Sequence, residues 1–386
     1  MISIWEQDTF YRNTDVFIIG GGLMGLWTAY ELLIERPGLG ITITDALPVP
    51  ALASTRNAGF ACFGSPSELW SDRESLGESK MLEIVAMRYR GIEKIRKVFG
   101  DKLINYDACG GFEVYDKDEA WNGDSLMDKL AILNRGLKSI IGETNMYFNC
   151  SNKLETLGLV GFKAMAGNSI EGGLHSGKLV LSLMAVLQSK GVVLLSGHKV
   201  LKVEGTIGNL QAVLTAGAKE IQIKCKSALW ATNASLSQMP ELENLVKPAR
   251  GQVLLSPSVE AFALKGTFHY NEGFFYFRNL GNRLLIGGAR NLELTNENTL
   301  TDETTGEIKQ HLEHFITKHI PQAAAILSGN GWLQWAGIMG MSQQKIPFVK
   351  NLNPGIWCAL ACNGMGVALT PEMAKVAANQ LLSELR

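Results

Sequence analysis

Apolar and polar positions follow two rhythms along the chain. VFIIG (16–20) is an unbroken run of β-formers, as expected for a parallel strand buried on both faces. From Leu23 to Glu35 the apolar residues Leu26, Tyr30, Leu33 and Ile34 recur at helical spacing. PGLG (37–40) stops that helix, and ITITD (41–45) predicts the next strand. Helices are also predicted over 79–99, about 124–140, 179–190 and 307–319. In the last, Ile308, Leu312, Phe315 and Ile316 form the buried stripe, while His311 and His314 fall off it on a solvated face. Strands are predicted at 110–116, 192–195, 199–205, 211–216, 220–232, 248–255, 273–279, 283–290 and 356–362. NLELTNENTLTDETTG (291–306) reads as a polar surface loop. Thr370 and Pro371 fit a helix N-cap and first position, with Glu372 at the positive end.

At 386 residues the chain exceeds what one hydrophobic core usually serves, so two domains are expected. A content of 46% apolar and 19% charged residues describes an ordered, soluble globular protein. The net charge of −1 gives no handle for nucleic acid or an anionic membrane. Of the six cysteines none forms a C-x-x-C pair, and Cys358 and Cys362 would share one face of a strand as packed apolar groups, so no metal site is expected. The polar N-terminus does not resemble a signal peptide, and no apolar stretch is long enough to span a bilayer. A cytoplasmic location is the expectation.

Gly20, Gly22 and Gly25 fit the G-x-G-x-x-G template, which alone is weak. Its context is stronger: strand, glycine turn, helix, strand, then the carboxylate of Asp45, 25 residues after the first glycine. In such a unit Gly20 allows the tight turn, Gly22 admits a pyrophosphate to the backbone, and Gly25 lets helix and strand pack closely. The helix N-terminus offers N–H donors to phosphate, and Asp45 can accept from a ribose diol. A second glycine turn, NGMG (363–366), precedes the last helix and would present N–H groups to another electron-rich atom. A flavin needs this closing element, because its reduced form carries negative charge around N1 and O2.

These segments resemble the FAD-dependent D-amino-acid oxidase superfamily, in its glycine oxidase and sarcosine oxidase branch, over nearly the whole chain. GGGLMG (20–25), ASTRNAGF (53–60), GGLHSGKLVLSLMAVLQSKGV (172–192), ALWATNAS (228–235), PARGQVLL (248–255), FYFRNLGNRLLIGG (275–288), WAGIMGMSQQKIPFV (335–349) and ACNGMGVALTPEMAKVAANQL (361–381) follow the family's order. The resemblance implies an α/β and α+β architecture, with a Rossmann-type FAD-binding domain and a mostly antiparallel-sheet substrate domain. The expected FAD domain is 11–95, 165–235 and 330–386; the expected substrate domain is 96–164 and 236–329. Gly20, Gly22 and Gly25 would hold the diphosphate, with Leu23 and Met24 beside them and Asp45 and Ala46 at the adenosine ribose. Val200 would contact adenine through its backbone, and Ala231 and Thr232 would lie near the dinucleotide. Thr55, Arg56, Asn57 and Ala58 would approach the isoalloxazine. Gly337 counts among the cofactor contacts, and Gly364, Met365, Gly366 and Val367 would line the pyrimidine edge.

Departures from the family pattern carry information too. Relatives of this type place a carboxylate-binding arginine after the W-x-G-[LI] run; here Met339 follows Trp335-Ala336-Gly337-Ile338. Gln344 stands at a usual acidic position, and Leu284 and Leu285 stand where sarcosine oxidases have a lysine. The cysteine and histidine used for covalent flavin attachment are missing, with Asn57 in the histidine's place, so FAD should be non-covalent. The expected reaction is oxidation of the C–N bond of an amine or amino acid by hydride transfer to flavin N5, with oxygen or another acceptor taking the electrons. Glycine, sarcosine and simple D-amino acids would be poor substrates, and a larger or differently charged amine would be preferred. No catalytic base is identified. Tyr276 and Arg278, on one strand face, and Met339 are the expected substrate contacts. A 2-hydroxy-acid dehydrogenase and a non-catalytic flavoprotein are the alternatives.

Overall fold

The computed structural model describes residues 2–116, 121, 123–342, 345–360 and 362–385. The chain divides into two compact units, each assembled from separated segments. The first is 1–55, 176–249 and 339–386; the second is 56–175 and 250–338. Relative to the expected boundaries, 56–95, 165–175 and 330–338 group with the second unit and 236–249 with the first.

In the first unit the buried run Thr14–Ile19 pairs in parallel with Ile41–Asp45 on one side and Lys219–Trp230 on the other. Val193–Ser196 and Ile356–Leu360 extend the parallel sheet outward, and Phe348–Asn353 closes one edge antiparallel. Alternate side chains of the opening strand serve different layers. Phe17 and Ile19 join Leu195, Leu210, Leu214 and Ile223 in a core beneath the antiparallel strands His198–Thr206 and Asn209–Ala216. Ile18 points the other way: a Cβ on Gly25 would lie 3.1 Å from its Cγ2. Leu23–Glu35 packs against both Ser176–Ser189 and Gly366–Glu384.

The last helix corrects one expectation. It begins at Gly366 with Met365 as cap, so Pro371 lies inside it and Thr370 does not cap it. The proline cannot donate to the carbonyl one turn back, while Thr370 Oγ1 donates to Gly366 O at 2.8 Å. Cys358 and Cys362 do not share a strand face, because the strand ends at Leu360 and Cys362 belongs to the turn.

The second unit is built on a sheet in the order Leu333–Ser342, Val246–Leu255, Arg283–Gly288, Phe275–Leu280, Thr267–Tyr270, Gly111–Tyr115, Ala164–Asn168, Phe148–Asn149. The unit division passes within the first two of these strands. Neighbours whose register is defined pair antiparallel, apart from Thr267–Tyr270 with Gly111–Tyr115. One face is apolar: Val114, Met165, Leu254, Phe268, Phe277, Leu284 and Ile286 pack with Leu312, Phe315 and Ile316 of the helix Gly306–His319. The helices Pro66–Leu76, Glu78–Leu103 and Gly123–Ile141 pack on one another; the first is absent from the sequence pattern because its mean character is polar. The stretch 291–306 is not a plain loop. It holds Leu294–Glu297, and the buried Glu297 accepts from Arg250 and Gln252.

Candidate active site

The glycine turn of the first unit brings five separated segments together. Gly20 has φ +115°, and a Cβ there would stand 2.5 Å from Ala231 O and 3.3 Å from Thr232 N, so only glycine fits against that strand end. A Cβ on Gly25 would come 2.0 Å from Gly20 O, which explains the third glycine by helix–strand packing. The Gly21 N–H donates to Asp45 Oδ2 at 2.9 Å, and Leu47 N–H donates to Oδ1 at 2.9 Å. Ala46 follows directly on this strand end. Ser54, which the sequence reading passed over, caps the helix: Leu23 N–H donates to its Oγ at 3.0 Å. A Cβ on Gly22 would lie 2.7 Å from that same oxygen. The helix Leu23–Glu35 has no acidic residue in its first turn, so its positive end, with Met24 in that turn, faces no carboxylate of its own. Beside it, Gly21, Leu26, Ile43, Asp45, Pro50, Leu195 and Ser196 line a cavity.

Val200 lies near this edge with its backbone in register with Leu214 and its side chain in the core. Thr55 Oγ1 donates to Pro50 O at 3.0 Å. At the second glycine turn, Gly364 has φ +83° and a Cβ there would lie 3.6 Å from Met339 Sδ, so Met339 and the Gly364–Val367 turn are neighbours. Asn363 Oδ1 accepts from Ser342 N–H at 2.8 Å, and Asn233 Oδ1 accepts from Gly340 N–H at 3.0 Å. These side chains fix the strand that carries Met339 against the turn. Gln344 lies outside the described residues.

In the second unit, Arg56 donates to Ala336 O at 3.1 Å and pairs with Asp302, while Trp335 Nε1 donates to Arg56 O at 2.9 Å. Its hydrogen bond holds the Asp302 carboxyl below the usual range. Asn57 Oδ1 accepts from Gly59 N–H at 2.9 Å, a local turn. Ala58 packs with Tyr276 and Trp335, and Gly337 is buried in the strand Leu333–Ser342.

The front face of the second sheet holds what the sequence reading only partly found. The register aligns Glu113 with His269 and His269 with Tyr276 across three neighbouring strands. Phe60 meets both rings edge-on, at centroid distances of 5.2 Å to His269 and 5.9 Å to Tyr276. Burial lowers the His269 imidazole to about 4 and pushes the Tyr276 phenol up to about 12, so both are uncharged at neutral pH. Glu113, wholly buried and pushed upward by burial, accepts from Ser65 Oγ at 3.0 Å, Ser67 N–H at 2.8 Å and Tyr115 OH at 2.7 Å. Glu171, also buried, accepts from Phe63 N–H at 2.6 Å and Gly64 N–H at 3.1 Å, and burial raises it to about 7.

Arg278 departs from its expected role as a substrate contact. It is 4% exposed, donates to Gly59 O at 2.7 Å and Leu174 O at 3.4 Å, and leaves no room for a Cβ on Gly173, which would lie 2.1 Å from the guanidinium. It ties two chain segments to the sheet. Alternation correctly put it on one face with Tyr276, but periodicity cannot distinguish an arginine facing ligand from one facing backbone carbonyls.

A strand–glycine turn–helix–strand unit ending in an acidic residue, with a second glycine turn into a helix, defines a dinucleotide-binding flavoprotein class. The family model for FAD-dependent oxidoreductases of the DAO type matches residues 15–380, and the chain belongs to that family. It is an enzyme, an oxidoreductase, and its cofactor is FAD. A protein named probable oxidoreductase OrdL from Rhizobium meliloti is 25% identical, over 97% of this chain and 84% of its own. Glycine oxidase from Geobacillus kaustophilus superposes with a TM-score of 0.71 at 19% identity, covering 97% of this chain and 95% of that one. L-Proline dehydrogenase from P. horikoshii gives 0.73 at 15% identity, covering 96% and 94%. At such identities the structural likeness shows the fold. Among the described residues no helix is long and apolar enough to cross a membrane.

Proposed function

We propose that this enzyme oxidises the C–N bond of an amine or amino acid larger than glycine, with FAD held non-covalently by the first unit. No Cβ fits on Gly22, because it would strike the Ser54 hydroxyl, so the turn keeps bare backbone toward a diphosphate. Gly20, Gly22, Leu23, Met24 and Gly25 would hold that group, with Asp45 and Ala46 at the ribose and Ala231 and Thr232 alongside. Gly364, Met365, Gly366 and Val367 would meet the flavin's pyrimidine edge. Bound FAD supplies the two-electron acceptor, with hydride transfer to its N5 as the chemistry.

The observation that carries the reading is the pair His269 and Tyr276, aligned in register on the front face of the second sheet and both uncharged at neutral pH. An amine reacts through its neutral form, whose nitrogen lone pair is available. His269 as imidazole and Tyr276 as phenol receive that form without themselves offering an anion to hold an ammonium ion. Alignment and desolvation are then the protein's contribution, and no obligatory base is required. Met339 offers a soft apolar contact where an arginine would bind an α-carboxylate, which supports weak use of glycine, sarcosine and simple D-amino acids.

Anaerobic mixing of the flavoprotein with a panel of amines and 2-hydroxy acids tests this, followed by product analysis. Saturable bleaching by an amine, with an imine-derived carbonyl product and released amine or ammonia, is expected. Bleaching by 2-hydroxy acids alone, without nitrogen release, would replace the reading with a hydroxy-acid dehydrogenase.

A further inference from the structure

After Phe60 the chain runs through a buried stretch of the second unit that has no regular structure. Phe60–Ala61 pairs antiparallel with Gly172–Gly173, and the buried Cys62, Phe63, Gly64 and Ser65 that follow belong to no helix or strand. Buried backbone outside helix and sheet must find its hydrogen bonds elsewhere. Side chains from distant segments supply them here. Glu171, which immediately precedes Gly172, accepts at Oε1 from both Phe63 N–H at 2.6 Å and Gly64 N–H at 3.1 Å. Arg88 of the helix Glu78–Leu103 donates to Phe63 O at 3.1 Å, and the Tyr147 hydroxyl donates to Gly64 O. Gly64, at φ +139°, has no room for a side chain, because a Cβ would lie 2.6 Å from Leu69 Cδ2.

The Glu171 carboxyl fills a space shaped for it. A Cβ on Gly111 would stand 2.0 Å from its Oε2, and the Asn168 side chain hydrogen-bonds the group. Cys62 and Glu68 of the clamped stretch face it, as do Tyr106 and Tyr147. Burial pushes the Cys62, Tyr106 and Tyr147 groups upward, so they stay protonated near neutral pH. The buried Arg88 is paired with Glu68 at 2.9 Å. Burial also raises Glu171 to about 7, with Glu68 adding to the rise against the pull of Asn168 and the two N–H donors.

Phe60 stands three residues before Phe63, and its strand partner Gly173 stands two residues after Glu171. The clamp therefore holds Phe60 from both sides, and the ring meets His269 and Tyr276 edge-on. We propose that Glu171 is a positioning residue for that pair: by holding 62–64 it fixes the Phe60 ring against His269 and Tyr276, and its proton is the route by which pH reaches the front face. That this face receives the substrate rests on the amine reading above. An opened segment would hydrate the carboxyl and return it to its ordinary 4.5, whereas the closed one holds it near 7. Closure is fully favoured below pH 4.5, and that advantage is lost as pH rises through 7.

Hydrogen exchange of the purified flavoprotein tests the clamp. After correction for intrinsic exchange, opening of a peptide spanning 60–68 should rise by at least about tenfold between pH 5 and pH 8. A peptide from the helix Gly306–His319 should not share that rise. Glu171→Gln keeps an oxygen acceptor but cannot ionise, and should make the opening independent of pH. Carbon-13 NMR of histidine-labelled protein reads the positioning. The His269 ring, assigned by its loss in His269→Asn, is neutral between pH 6 and pH 8, yet its signal should shift with a midpoint near pH 7. Glu171→Gln should abolish that shift, and Phe60→Leu should remove most of it. If Glu171→Gln fails to fold, the parent and Phe60→Leu titrations carry the test. A pH-independent opening in the parent, a rise shared by the distant helix, a flat His269 signal, or a shift undiminished in either variant would overturn the proposal. If all the expected effects hold while no amine reduces the flavin, the clamp stands and the reaction reading fails.

Discussion

The two faces of the second unit's sheet are made by alternate residues of the same strands, yet they do opposite things. Phe268 and Phe277 face the helix Gly306–His319 and stack at 5.0 Å in a core with Phe315. Their neighbours His269, Tyr276 and Arg278 face the other way with polar groups in a buried setting. A one-residue step along the strand thus exchanges a stability role for a binding or positioning role. The comparison teaches that burial alone does not identify core: Phe277 and Arg278 are both buried, and only one is there for packing.

Substitutions on the two faces should separate accordingly. Phe277→Ala removes a fully buried ring and should destabilise by about 3–5 kcal/mol, read from urea midpoints. His269→Asn should act through pH. The unfolded imidazole titrates near 6.5 and the folded one near 4, so its stabilisation is present above pH 6.5 and lost as pH falls through 4. That difference is roughly 3 kcal/mol, and the variant's stability should be flatter by about that amount between pH 7 and pH 4. Glu171→Gln should show the opposite sign. The carboxyl is raised from 4.5 to about 7, so its favourable contribution is present below pH 4.5 and lost as pH rises through 7. The variant should therefore gain relative stability at pH 8. Arg278→Met should cost about 2 kcal/mol, because two buried carbonyls lose their donor. Tyr276→Phe should shift the midpoint by less than about 1 kcal/mol. A Tyr276→Phe loss as large as that of Phe277→Ala would erase the distinction between the faces.

The first unit was far more legible from sequence than the second. Gly20 and Gly25 are dictated by backbone clashes with Ala231 and with Gly20 itself, and such local constraints leave a local motif. Asp45 follows at a spacing set by one helix and one strand. The front face of the second sheet has no such motif. His269, Tyr276 and Glu113 come from three separate strands and meet only through their register, and Phe60 of a fourth segment joins them by ring contact. Glu297 fell within a stretch that reads as a polar surface loop, because the partners that bury it are distant in sequence. Pro371 misled for a different reason: proline is common at helix starts, but here the turn at Gly364 had already begun the helix.

The central claim is that this FAD enzyme oxidises an amine at the C–N bond and chooses one larger than glycine. Stopped-flow anaerobic reduction tests it most directly, comparing glycine, sarcosine and D-alanine with larger amines and amino acids and with 2-hydroxy-acid counterparts. Fast, saturable flavin bleaching by a larger amine or amino acid, with slow or absent bleaching by the three small amino acids, is the predicted result. Equally fast bleaching by glycine or D-alanine, or bleaching by the hydroxy acids alone, would contradict it.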